Sequence, residues 1–463
     1  MNCSNVITMA GLSKNSMIAI IIAIIVVVAG ASAAYVLLND DEKPKEAFYL
    51  PGNLKILGNA DLDGDLDNDD ISEINRIIDE RGMIDKYPLA DANNDGEINK
   101  DDVDFVKAIL NHTPGSPQVP VWHINYHDNG KGVMYQELAK TMYPVSSVVA
   151  TGSSNMLMML QLMDIVDEVK GICHGTVDTA LFDTTYLDTS KVTNLGDNTG
   201  VITFEDGKVG SSNVIAEQNV TAVITDWNKT YIDNEDDFEN GNIDVVRIAA
   251  AAVDRETYTH SISLLGFLFQ KTDRATSLLA LYDECNTLIE KNKSDGSLKA
   301  CASSMSNPKK YAYVSSPDSD YTEVILAAGL SFGLPDIDFE GKTSFDTWKN
   351  LDIYNTELNH WDYTIHIRTN INYSGVINTT TLKGYTDAFC KYWEYQNGEH
   401  QYLISGGIPV PIRVLYVESI FNDDLTVEQV DALHAKFVQD FFIKSDLDIS
   451  SMQFFVDGTT LYT

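Results

Sequence analysis

Two twelve-residue stretches of this chain nearly repeat one another, and each is spaced to gather oxygen donors around a single ion. The first runs from Asn59 to Asp70 and the second from Asp91 to Asp102, a repeat of 32 residues. In the first copy the donors are Asn59, Asp61, Asp63, Asp67 and Asp70, with Asp65 offering its backbone carbonyl. In the second they are Asp91, Asn93, Asp95, Asn99 and Asp102, with Glu97 in the carbonyl position. Gly64 and Gly96 fill the sixth place, where the turn is sharpest, and Leu66 and Ile98 fill the eighth. Carboxylates, amide oxygens and one carbonyl at this spacing are what a hard cation such as calcium collects. A lone acidic run is usually a solvated turn. Two copies in register are not explained that way, and two bound calcium ions are expected.

Each loop leads into an apolar stripe at helical spacing. Ile71, Ile74, Ile77 and Ile78 follow the first, and Val103, Val106, Ile109 and Leu110 the second. The segment before the first loop, Leu50-Pro51-Gly52-Asn53, is a poor helix, and the twelfth position is Asp in both copies. This duplicated loop and helix resembles the small all-α, EF-hand-like module of type I dockerins, over residues 55–112. The resemblance implies two calcium ions, folding coupled to metal, and a cohesin-like partner. The partner would be read by loop positions 10 and 11, here Asn68, Asp69, Lys100 and Asp101.

Upstream, residues 17–38 form an uncharged apolar run of 22 residues, long enough as a helix to cross the roughly 30 Å of bilayer hydrocarbon. Lys14 precedes it and Asp40, Asp41 and Glu42 follow. The positive-inside tendency puts residues 1–16 in the cytoplasm and the bulk of the chain outside, as a single-pass cell-membrane protein. Residues 39–54 then read as a linker. Sequons at Asn111, Asn219, Asn228, Asn292 and Asn378 fit an exposed glycoprotein surface.

Sixty-eight acidic residues against 32 basic give a net charge of −36. That excludes nucleic acid as a partner, since phosphate binding needs a cationic surface. The five cysteines match no zinc or redox spacing, and no nucleophile triad, phosphate loop or HExxH motif is present.

After a stiff Pro-rich linker at 113–120, residues 121–463 alternate short apolar strands with helical patterns, which signals α/β layers. Strands are expected at 145–150, 168–173, 220–225, 243–249, 310–314, 362–367 and 401–404. Helices are expected at 155–163 and 214–218, with a long helical stretch over 255–291 broken near Lys271. The order gives two Rossmann-like lobes, about 121–254 and 308–463, bridged by a long helix over 255–292.

Four segments carry a further resemblance: SSVVATGSSNMLMMLQLMDIVDEVKGI, SNVIAEQNVTAVIT, LLGFLFQKTDRATSLLALYDECNTLIEK and IPVPIRVLYVESIFNDDL. Their order is similar to that in the substrate-binding proteins of ABC importers for iron-siderophore, haem and cobalamin (the type III periplasmic-binding fold). The resemblance implies a non-enzymatic protein that captures a metal chelate and delivers it to an ABC permease. The chain departs from the family at three places. Asn155 stands where the opening turn usually has Glu, Asn213 where a permease-docking Glu falls, and Val220-Thr221 where Pro-Asp precedes a strand.

In open α/β sheets ligands sit beyond the carboxyl ends of the strands. The residues there are Gly152, Ser153, Ser154, Cys173, His174, Asp226, Trp227, Ser315, Ser316, His366, Arg368, Ser405 and Gly406. Trp227 offers a flat apolar face, Arg368 a fork for a carboxylate or phosphate, and His174 or His366 a metal cap. Taken singly, a strand-end Trp more often seals a core and a lone His is more often structural. Two other readings compete. One is a dockerin-bearing polysaccharide hydrolase, which needs a carboxylate pair such as Asp226 and Glu323. The other is a cell-surface scaffold or adhesion protein.

Overall fold

The computed structural model describes residues 50–128, 134–173, 192–195, 202–205, 208–209, 213–228, 231–232, 234–303, 313–334, 348–350, 361–368, 371, 373, 377–390, 395–442 and 447–463. The apolar run at 17–38 lies outside these residues. Among them no helix is long and apolar enough to cross a membrane.

The chain enters through Leu50–Leu57, then forms α1 (Asn68–Asp79) and α2 (Lys100–Leu110). Both helices begin with a reciprocal capping box. Asp67 and Asn99 accept from the helix backbone, while Asp70 and Asp102 reach back to the cap. Their apolar stripes face one another and the rest of the molecule, burying Ile74, Ile77, Val103, Val106 and Ile109.

A long antiparallel hairpin follows, β1 (Val119–Asp128) with β2 (Met134–Tyr143). No strand is expected here from the sequence. β1 begins inside the segment read as a linker. Buried polar residues on it (His123, Asn125, Thr141) erase the alternation that betrays a strand. The hairpin lies along one edge of the first lobe: Asn125 Nδ2 donates to Val245 O at 2.8 Å, and Arg247 N donates to Asn125 Oδ1 at 2.8 Å.

The first lobe contains β3 (Val148–Thr151), α3 (Ser154–Leu162), β4 (Val169–Cys173), β5 (Thr193–Asn194), the small pair β6 (Phe204–Glu205) and β7 (Lys208–Val209), α4 (Val214–Gln218), β8 (Ala222–Asp226), α5 (Glu235–Asn240) and β9 (Asp244–Ile248). Its five-stranded sheet has the order β5-β4-β3-β8-β9 and is parallel throughout. Strands such as Val148–Thr151 are buried on both faces, which accounts for their unbroken apolar runs.

The bridge is two helices, α6 (Arg255–Leu268) and α7 (Thr272–Asn292), not one. They cross closely at Gly266, where any side chain would come within 2.5 Å of Ala275 Cβ. α6 is buried from Thr257 to Leu268 and forms the centre of the molecule.

The second lobe contains β10 (Lys299–Ser303), β11 (Tyr313–Ser315), α8 (Asp320–Ala327), β12 (Ser331–Phe332), β13 (Trp348–Asn350), β14 (Tyr363–Arg368), α9 (Thr379–Cys390), β15 (Gln401–Ser405), α10 (Val410–Glu418), α11 (Val427–Phe441) and β16 (Phe455–Asp457). Its main sheet has the order β12-β10-β14-β15-β16, with only β16 antiparallel. β10 opens this lobe ahead of the expected start near residue 308. β11, overlapping the strand expected at 310–314, pairs with β13 in a separate ribbon.

The small helical module is not a bead on a string. Leu54, Ile56, Ile74, Ile77, Val103 and Val106 share one continuous apolar core with Val121, Met156, Ile262 and Leu265. Leu50 and Leu54, in the stretch read as linker, are fully buried.

Candidate functional site

In both acidic loops the twelfth residue is drawn inward. Asp70 accepts from Asp61 N at 3.3 Å and Asp67 N at 2.8 Å; Asp102 accepts from Asn93 N at 3.2 Å and Asn99 N at 2.7 Å. In the second loop Asp91 also accepts from Asp95 N and Gly96 N. The first loop has Asn59 in that place, and its amide nitrogen donates to Leu54 O at 2.6 Å and Asp63 O at 3.0 Å. The Asn59 amide oxygen is buried and accepts no hydrogen bond. Burial pushes Asp70 up to about 7. Asp63 and Asp65 are also held above the usual carboxylate range, by burial first and then by neighbouring carboxylates. Carboxylates raised in this way are held together against their own repulsion, and a divalent cation would relieve it. Among the described residues no three His, Cys, Asp or Glu side chains converge closely enough to cage a metal unaided. The donor set here also draws on Asn59, Asn93, Asn99 and backbone carbonyls. An orphaned buried amide oxygen at the first position suits calcium.

The second candidate lies where the lobes meet. After β3 the chain turns through Gly152 at φ +135, with Met156 and the Asp226 backbone too close to admit a side chain comfortably. Ser153 caps α3 and its hydroxyl donates to Asp226 Oδ2 at 2.6 Å; Trp227 N donates to Asp226 Oδ1 at 2.9 Å. Gly152, Ser153, Asp226 and Trp227 are thus brought together at the carboxyl ends of two neighbouring strands. Ser154 begins α3 beside them.

Burial, and then the negative charge of Asp320 at the start of α8, push Asp226 up to about 7. Glu323 is likewise pushed up to about 7 by burial and by Asp320, Asp318 and Asp254. A glycosidase pair needs one acid kept ionised and the other raised. Here both rise together.

Sequence reasoning missed the residue that joins the lobes. Arg413, buried in the first turn of α10, donates to Asn155 Oδ1 at the start of α3, and to Ile408 O at 2.9 Å and 2.7 Å. Asn155 follows β3 and Arg413 follows β15, so the carboxyl ends of the two sheets face each other across this contact. The available signal was a lone Arg inside the apolar run at 408–417, IPVPIRVLYV.

The remaining predicted residues scatter. Ser315 and Ser316 end β11 and are buried. His366 is buried inside the second lobe, 3.0 Å from Gln401 Oε1 and edge-on to Phe389, and burial lowers it to about 4. Arg368 lies over the Tyr385 ring and donates to its hydroxyl at 3.1 Å. Cys173 ends β4 in the core, and Ser405 donates to Ile371 O at 2.5 Å, with Gly406 N bonded to Arg368 O. His174 lies outside the described residues. A cavity of about 740 Å³ opens beside α7, lined by Tyr258, Tyr282, Lys293, Leu330 and Pro411. None of the predicted ligand residues lines it, and two of its charged residues are already paired, Arg255 with Asp283 and Lys293 with Glu290.

No family model matches the chain, and no curated protein matches it. Solved structures do. The TroA-like periplasmic binding protein FepB from Veillonella parvula is similar over 69% of this chain and 97% of its own, with 15% identity and a TM-score of 0.51. The molybdate periplasmic binding protein MolA of Haemophilus influenzae matches over 66% and 95%, with 12% identity and a TM-score of 0.48. The periplasmic haem binding protein HutB of Vibrio cholerae matches over 59% and 98%, with 11% identity and a TM-score of 0.43. At such identities the likeness speaks for the fold: residues beyond the small module have the mixed α/β fold of periplasmic binding proteins.

Proposed function

We propose that this chain is an extracytoplasmic solute-binding protein that captures a metal chelate (iron-siderophore, haem or corrinoid) between its lobes for an ABC importer. The observation that carries this reading is the meeting of a parallel and a largely parallel sheet at the carboxyl ends of β3 and β15, across Asn155 and Arg413. The Gly152-Ser153 turn, Asp226 and Trp227 lie at the carboxyl ends of β3 and β8, and the turn is close in sequence to Asn155. The apolar run at 17–38 would tether the protein to the cell membrane, with the described residues outside.

The small module binds two calcium ions, through Asn59, Asp61, Asp63, Asp67 and Asp70 and through Asp91, Asn93, Asp95, Asn99 and Asp102, with backbone carbonyls at Asp65 and Glu97. Support comes from the unpaired Asn59 oxygen and from the raised carboxylates of the first loop. Asn68, Asp69, Lys100 and Asp101 are exposed, as a cohesin-like partner would require.

Titrating the full chain in detergent with haem, cobalamin and a ferric siderophore tests the first part; saturable binding of one of them is expected. A flat response to all three would refute capture of a chelate. Native mass spectrometry and a cohesin pull-down in calcium against EGTA test the second.

A further inference from the structure

The two loops are alike in sequence and unlike in surroundings. The first is stitched to the body of the protein. Leu54 N donates to Asp63 O at 3.0 Å, and Asn53 N donates to Leu62 O at 3.3 Å. The next residue, Lys55, is fully buried. Its backbone N donates to His260 Nδ1 on α6 at 3.0 Å, and the other ring nitrogen lies 3.0 Å from Ile124 O. The Lys55 ammonium donates to Leu50 O at 2.8 Å and pairs with Glu256 in the first turn of α6. Ile56 bridges to His123 of β1, and Leu57 N donates to Trp122 O at 2.9 Å. A methyl group on Gly64 would lie 4.0 Å from Ser263 Oγ, also on α6.

The second loop has no such attachment at its tip. A methyl group on Gly96 would meet nothing within 4 Å, and residues 94–97 are exposed. The first position differs as well. Asp91 closes its own loop by accepting from Asp95 and Gly96, whereas Asn59 spends its nitrogen on Leu54 O and Asp63 O and keeps a buried, unpaired oxygen.

We propose that the two loops do different work. The ion in the first loop belongs to the α/β body and governs the order of α6, while the ion in the second faces solvent and leaves α6 unchanged. The path is short: ion, Asn59, Leu54 and Lys55, then His260. Binding at Asn59 fixes the 53–55 segment, and that segment holds the central helix. This rests on the calcium reading given above.

The experiment is hydrogen exchange of the full chain in detergent, in calcium and in EGTA, with calcium stoichiometry measured by calorimetry on the same samples. Calcium should slow exchange of the Ile262–Leu265 amides by about tenfold or more. Asp102→Asn should bind one ion and retain that protection; Asp70→Asn should bind one ion and lose it. Two ions bound with unchanged α6 exchange, or protection lost in Asp102→Asn, would overturn the division while sparing the calcium reading. No calcium heat in the unaltered chain would remove both. If Asp70→Asn does not fold, Asp102→Asn decides alone, since it must keep one ion and an ordered α6.

Discussion

The Arg413 guanidinium donates to the side-chain oxygen of Asn155, joining residues of different lobes across 258 positions of sequence. It is a buried cation whose other bonds go to Ile408 O. Burial depresses its pKa, while Tyr321, Tyr282 and Asp320 oppose that shift. Arg413→Ala should therefore destabilise the protein by about 1–3 kcal/mol for each buried acceptor it leaves without a donor, read in denaturant melts. Asn155→Ala should cost about 1–3 kcal/mol. The double variant should cost less than the two together. Strict additivity would mean that the contact does not join the lobes energetically.

Calcium should raise stability in a concentration-dependent way. A site filled at a hundred times its Kd contributes about 2.7 kcal/mol. Melts in EGTA and in millimolar calcium that coincide would contradict binding to the folded state.

Glu418 is fully buried, and neither of its carboxyl oxygens has a hydrogen-bond partner among the described residues. Burial, with Glu290 adding to it, pushes it up to about 9 from an ordinary 4.5. The folded protein keeps this proton where the unfolded chain has released it. Its contribution is full below pH 4.5 and is lost as pH rises through about 9, by up to roughly 1.4 kcal/mol per pH unit. Glu418→Gln should flatten the fall in stability between pH 5 and pH 9. An unaltered slope in that variant would assign the fall elsewhere.

Four buried histidines behave oppositely. Burial lowers His123 and His366 to about 4 and His260 and His434 to about 3, against an ordinary 6.5. The unfolded chain takes up these protons first as pH falls. Stability is full above pH 6.5 and drains away toward pH 3–4. For His260, accepting from Lys55 N at Nδ1 requires the neutral ring protonated at Nε2, which then donates to Ile124 O. Ring signals from this residue should not titrate between pH 8 and pH 5 in the native protein; a midpoint near 6.5 would contradict its placement.

Much of the architecture could be read from local pattern. The helix at 214–218 and the break between α6 and α7 follow from short-range spacing. The turn at Gly152 and Ser153 and the strand end at Asp226 were visible too, because sharp turns and unbroken apolar runs are local features. What escaped was long-range. Pro51 and Gly52 make residues 39–54 look like a linker, yet Leu50 and Leu54 are held by a core assembled from distant helices. His366 and Arg368 stand at a strand end as expected, but α9 takes up both side chains through Phe389 and Tyr385. No spacing rule announces which helix will cover a strand end. Nor could the partner of Arg413 be named before the lobes were seen together.

Asn125 has a consequence for how this protein survives at high concentration. β9 is the outermost strand of its sheet, and the border it would otherwise offer to another chain is covered by the β1–β2 hairpin. One amide side chain, giving to Val245 and receiving from Arg247, imitates the neighbour that the strand lacks. Copies of the molecule are thereby denied a template for zipping together border to border, at the expense of a single carboxamide.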